Sequence, residues 1–62
     1  MTDIVNDKLI ATKKGGGRPG MPWATVICNA KTHELMEVRY YDSEERARLG
    51  HWDMMTKYRG GN

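Results

Sequence analysis

Side chains able to do chemistry are few and widely spaced in this chain of 62 residues. Cys28, His33 and His51 are its only thiol and imidazole groups. A structural zinc site needs four ligands, and a helical site needs two histidines four residues apart. Neither pattern occurs, so no metal is expected. Cys28 follows Val26 at strand spacing and reads as a small buried apolar residue, because a nucleophilic thiol needs a base and an electropositive setting. His51 lies on the apolar side of a helical segment and reads as a packed, structural histidine. Asp42, Glu44 and Glu45 offer clustered carboxylates, yet their place at a helix start explains them as capping groups without any reaction. No catalytic residue, no enzyme activity and no cofactor are expected.

Residues 13–22, Lys-Lys-Gly-Gly-Gly-Arg-Pro-Gly-Met-Pro, form the other candidate. A phosphate-cradling Walker loop ends in Gly-Lys-Ser/Thr before a helix. Here the lysines precede the glycines and Arg-Pro follows them. Gly17-Arg18-Pro19 is similar to hooks that lay an arginine in a minor groove, but Gly16 stands where such hooks carry a second arginine. Lys8, Lys13, Lys14 and Arg18 face only Asp3 and Asp7 within residues 1–22. From Trp23 onward six basic residues balance six acidic ones, so the formal charge of +2 lies wholly in the first part of the chain. Four cations make a small electrostatic footprint, and nucleic-acid binding is expected to be weak.

The elements that must position these groups follow from periodicity. In residues 1–12, Ile4, Val5 and Leu9 fit one helical face, while Lys8–Thr12 fits a short strand. Gly15, Gly16 and Gly17, with Pro19, Gly20 and Pro22, then read as a break in regular structure. From Trp23 the pattern sharpens: Ala24, Val26, Cys28 and Ala30 alternate against Trp23, Thr25, Ile27 and Asn29, which predicts a strand. After the polar turn 31–34, Met36, Val38 and Tyr40 alternate against Glu37, Arg39 and Tyr41, which predicts a second strand. Asp42 and Glu45 are placed as a capping box that opens a helix. Along that helix Ala47, Gly50, His51, Met54 and Tyr58 share a face, and Gly60-Gly61 ends it. The expected fold is α+β: an extended basic arm over 1–22, then a module over 23–62 of a two-stranded antiparallel hairpin and one C-terminal helix (ββα). Gly15, Gly16, Gly17, Trp23, Asp42, Glu45, Gly50 and His51 are its expected structural residues, with Trp23 pinning the arm to the hairpin.

A ββα unit of this size buries too little to stand on its core alone; a disulfide is excluded and a metal is not expected, which leaves partner chains. Trp52, Met55, Leu49 and Tyr58 supply residue types favoured at interfaces, and Lys13, Lys14 and Arg18 would add contacts from the arm. The partners expected on these grounds are other protein subunits or further copies of this chain. With an apolar share of 39%, one cysteine, no long apolar run and no leader-like start, the chain reads as a soluble intracellular product.

Gly15, Gly16, Gly17, Pro19, Trp23, Thr25 and Val26, followed by Arg39, Tyr40, Ser43, Glu44, Glu45, Gly50, His51 and Met54, carry a resemblance. Over about residues 15–55 the chain resembles a recurrent type of small tailed-bacteriophage protein: a Gly-rich stretch, a strand ending Arg-Tyr, a Ser-Glu-Glu helix start and a later Gly-His. Arg46-Ala47 departs from the usual small apolar pair. The resemblance implies a phage origin and a non-enzymatic virion role on capsid, neck or tail subunits, located in the virion or the host cytoplasm. A host-takeover or counter-defence factor that binds a bacterial protein is the alternative.

Overall fold

The computed structural model describes residues 1–59. Four strands and one helix follow in order: β1 (Thr2–Val5), β2 (Lys8–Arg18), β3 (Met21–Asn29), β4 (Leu35–Tyr41) and α1 (Glu44–Arg59). The strands form one antiparallel meander, β1-β2-β3-β4, with α1 packed on one of its faces. The expected two-stranded hairpin with a free arm is therefore incorrect. Residues 1–18 build half of the sheet, and Ile10 of β2 is completely buried beside Ile27 and Met54.

Turn chemistry explains why the first residues fold back. Asn6 and Asp7 both adopt positive φ, 46° and 68°, as the two central positions of a type I′ hairpin turn require. Asn6 also reaches the far end of the chain. Its Nδ2 donates to the carbonyl oxygens of Tyr58 and Arg59 at 3.0 and 2.8 Å, satisfying acceptors at the helix end. At the next turn Pro19 precedes Gly20, whose φ is +84°, the residue order of a type II turn. Beyond β3, Asn29 Oδ1 accepts from the backbone nitrogens of Lys31 and Thr32 at 2.8 and 3.0 Å. This Asx turn carries the chain towards β4.

The glycine run is a bulge within a strand, in place of the expected hinge. Lys14 pairs with Trp23 and Arg18 with Met21, so β2 carries two more residues than β3 across this interval. Gly15 takes the left-handed φ of +97° that such a bulge uses. Gly17 lies so close to the Met21 backbone that a Cβ would strike its carbonyl oxygen. A smaller bulge at Met36 separates the pair Ile27–Glu37 from Cys28–Leu35.

The helix cap is shifted one residue from the expected box. Ser43 is the capping residue, its Oγ accepting from the Arg46 nitrogen at 3.3 Å, while Asp42 pairs with Arg46 at 3.5 Å. Glu44 and Glu45 occupy the first turn and Lys57 and Arg59 the last, matching the helix dipole. Gly50 faces Tyr41, and a Cβ there would land on the tyrosine ring and hydroxyl. The helix thus lies close to the sheet at this point. The expected helix stop at Gly60-Gly61 lies outside the described residues.

Candidate functional site

Strand register divides the sheet into two faces of different chemistry. Opposite residues share a face, so the pairs Ile10–Ile27, Thr12–Thr25, Lys14–Trp23 and Ile27–Glu37 lie on one side. This is the side α1 covers, since His51, Met54 and Tyr58 all meet it. The other side holds Leu9–Cys28, Ala11–Val26, Val26–Val38, Ala24–Tyr40 and Cys28–Leu35.

Beneath the helix runs a polar chain of four side chains. The His51 ring lies between Asp3 and Thr12, with Nε2 2.8 Å from Asp3 Oδ2 and Nδ1 2.7 Å from Thr12 Oγ1. Thr12 Oγ1 in turn lies 2.6 Å from Thr25 Oγ1. A carboxylate only accepts, so His51 Nε2 carries a proton and donates it to Asp3. Carboxylate, imidazole and hydroxyl in this order resemble an acyl-transfer relay, which needs its hydroxyl free to meet a carbonyl carbon. Thr12 is 2% exposed and its oxygen is held between the imidazole and a second hydroxyl. Each buried side-chain nitrogen and oxygen among the described residues has a partner. The chain of bonds therefore reads as a strut joining β1, α1, β2 and β3. A cleft of about 300 Å³ opens beside it, lined by Met1, Thr12, Trp23, Glu44, Arg48 and Trp52.

Toward the C-terminal end of α1, Glu37 gathers three donors: Arg39 Nε at 2.6 Å, Tyr58 hydroxyl at 3.1 Å and Lys57 Nζ at 3.2 Å. The hydrogen bond from Arg39, with further help from Lys57 and Tyr58, holds the Glu37 carboxyl below the usual glutamate range. Tyr41 is displaced the other way, its hydroxyl raised mainly by burial. Glu37 thereby ties the helix to β4, and the Tyr41 ring lies against Gly50 of the helix.

The second face has no such cover. Ile4 is 67% and Leu35 60% exposed; Leu9, Ala11, Val26, Cys28 and Val38 are half-buried, shielded only by their neighbours. An antiparallel sheet with one solvated face normally turns its apolar side inward. Here the side with threonines, histidine and glutamate receives the helix, and the aliphatic side stays open. Its charge is one-signed: Lys13 lies opposite Ala24, and the Arg18 guanidinium stacks 4.5 Å from the Tyr40 ring centroid. None of its paired ladder positions is a carboxylate.

The residues marked by sequence as partner contacts are dispersed. Leu49 and Trp52 point outward from α1, at 63% and 66% exposure. Met55 and Tyr58 turn inward onto the core cluster. Lys13 and Arg18 belong to the open side, whereas Lys14 pairs with Trp23 on the helix side. His51 and Gly50 are buried. Sequence reasoning missed Asp3, Thr12 and Thr25, whose connection to His51 has no local signal. It did separate Ala24, Val26 and Cys28 from Trp23, Thr25 and Ile27, without indicating which set the helix would cover. Compared with known proteins, the chain matches no family model, and no curated protein and no solved structure is significantly similar to it.

Proposed function

We propose that this protein is a non-enzymatic docking module, a structural component of a bacteriophage particle whose open sheet face binds a neighbouring subunit, either a capsid, neck or tail protein or a further copy of itself. The observation that carries the reading is the aliphatic face of β1–β4, which the protein's only described helix leaves in solvent. Contiguous apolar surface of this kind marks interaction sites in soluble proteins. The polar chain under the helix supports a non-catalytic reading, because its hydroxyls and imidazole are consumed by one another. The phage setting rests on the resemblance of residues 15–55. Docking through a free arm is withdrawn, since residues 1–18 belong to the sheet; Leu49 and Trp52 remain available as a second, smaller contact.

Mass spectrometry of purified particles tests the proposal. The chain is expected in them at a fixed ratio to a structural subunit. Its absence from particles, with recovery in a stoichiometric complex with a host protein, overturns the virion reading in favour of the host-factor one.

A further inference from the structure

We propose that a second copy of this chain covers the open face, the two sheets stacked with their strands running in opposite senses. The inference deepens the docking reading and rests on it. Three observations lead to it.

Size comes first. The two longer extents of the molecule, 32 and 23 Å, bound this face from above, which limits it to an interface no larger than the roughly 800 Å² per partner of the standard class. One sheet stacked on another also reproduces the two-layer arrangement by which antiparallel sheets ordinarily bury an aliphatic side.

Charge placement then selects the geometry. The basic groups of this face, Lys13 and Arg18, lie toward the end of the sheet that carries the Pro19-Gly20 turn. Exposed carboxylates lie at the opposite end: Asp7 in the β1–β2 turn and Glu34 in the β3–β4 loop, the latter with Lys31 nearby. A twofold axis along the strands would set Lys13 and Arg18 against their own copies. An axis across the strands reverses the ends and keeps the strand order. Asp7, between β1 and β2, then meets the Lys13 end of β2 in the other copy, and Glu34, beside β4, meets Arg18 over Tyr40. Each contact occurs twice, as an isologous interface requires.

The same axis passes near the middle of the face. Val26 is flanked there by Ala11 and Val38 in register, so the two Val26 side chains would approach one another. Cys28, two residues along the strand, would lie away from its own copy.

Sedimentation equilibrium of the full chain up to about 100 µM, well within reach of a micromolar dimer, is the test. The expected result is twice the 7.1 kDa mass of the chain. Val26→Glu should return the mass to that of the monomer while circular dichroism keeps its helical signal, because Val26 points away from α1. The dimer should weaken when salt is raised roughly tenfold, as opposite charges are screened. Should Val26→Glu fail to fold, Val26→Cys in a Cys28→Ser background gives the independent reading: a dimer crosslinked by a short bis-maleimide is expected, because residues on sheets stacked about 10 Å apart lie beyond direct disulfide reach. A monomeric wild type, a folded Val26→Glu dimer, a dimer that strengthens with salt, or a crosslinking variant that stays single each overturns the proposal. A monomer that is still present in particles would overturn the dimer alone and leave the docking role standing.

Discussion

The His51 ring reaches Thr12 across 39 residues of sequence, with Nδ1 2.7 Å from the hydroxyl oxygen. Together with Asp3 on its other nitrogen, this makes the first fourteen residues part of the helix's own support.

Deleting residues 1–14 is therefore expected to unfold the protein. The deletion removes β1, most of β2, the buried Ile10 and two members of the polar chain. Loss of the helical circular dichroism signal is the expected result. A helix that survives the truncation would show that β3, β4 and α1 fold alone.

His51→Ala should destabilise by about 3 kcal/mol, combining a cavity with the unpaired hydroxyl of Thr12. A domain of this size has only roughly 3–5 kcal/mol to lose, so the variant should keep about 0–2 kcal/mol and be marginally folded at room temperature. Chemical denaturation of the wild type and variant measures it. A loss below about 1 kcal/mol would mean that water replaces the imidazole at little cost.

Gly50→Ala tests the close approach of helix and sheet. Helix propensity alone predicts a gain of about 1 kcal/mol, but the new methyl group would meet the Tyr41 ring. Overpacking of this sort costs about 1–3 kcal/mol, so net destabilisation is expected. Pairing the change with Tyr41→Ala should shrink the loss in a double-mutant cycle. Net stabilisation by Gly50→Ala would show that the ring moves aside freely.

Acid should weaken the fold through Glu37. Its folded carboxyl lies below the usual range because Arg39, with Lys57 and Tyr58, stabilises the charged form. The unfolded chain binds the proton more readily, so this contribution is complete above the ordinary glutamate value of about 4.3 and disappears as pH falls below it. Stability measured against pH should show a shallower acid decline in Glu37→Gln than in the wild type. Identical acid limbs would remove Glu37 from the explanation.

Binding to duplex DNA, measured against salt, bears on the remaining reading of the basic residues. Only Lys13 and Arg18 share the open face, while Lys8 and Lys14 lie on the side of the helix. Two phosphate contacts predict a log–log slope no steeper than about −2. A slope near −4 would require all four cations to converge on the duplex.

Part of this fold is legible in the sequence because it is set by neighbours. Period-two alternation over β3 and β4 sorts their residues into two faces, and the Ser43-Glu44-Glu45 start with its acidic first turn locates the helix. Residues 1–18 read differently because their conformation depends on pairing. Four residues of β1 are too few for periodicity to resolve, and three glycines that suggest a break are instead held in a strand by β3. The left-handed φ of Gly15 belongs to the bulge that β3 imposes, and the close approach of Gly17 has meaning only beside the Met21 backbone. The choice of covered face is also tertiary. Hydrophobicity by itself favours placing the helix over Val26 and Val38. The helix instead takes the side where Gly50 admits Tyr41 and His51 completes its bonds to Asp3 and Thr12. That side can satisfy a buried imidazole and the aliphatic side offers it no partner, so the structure leaves the more apolar face exposed.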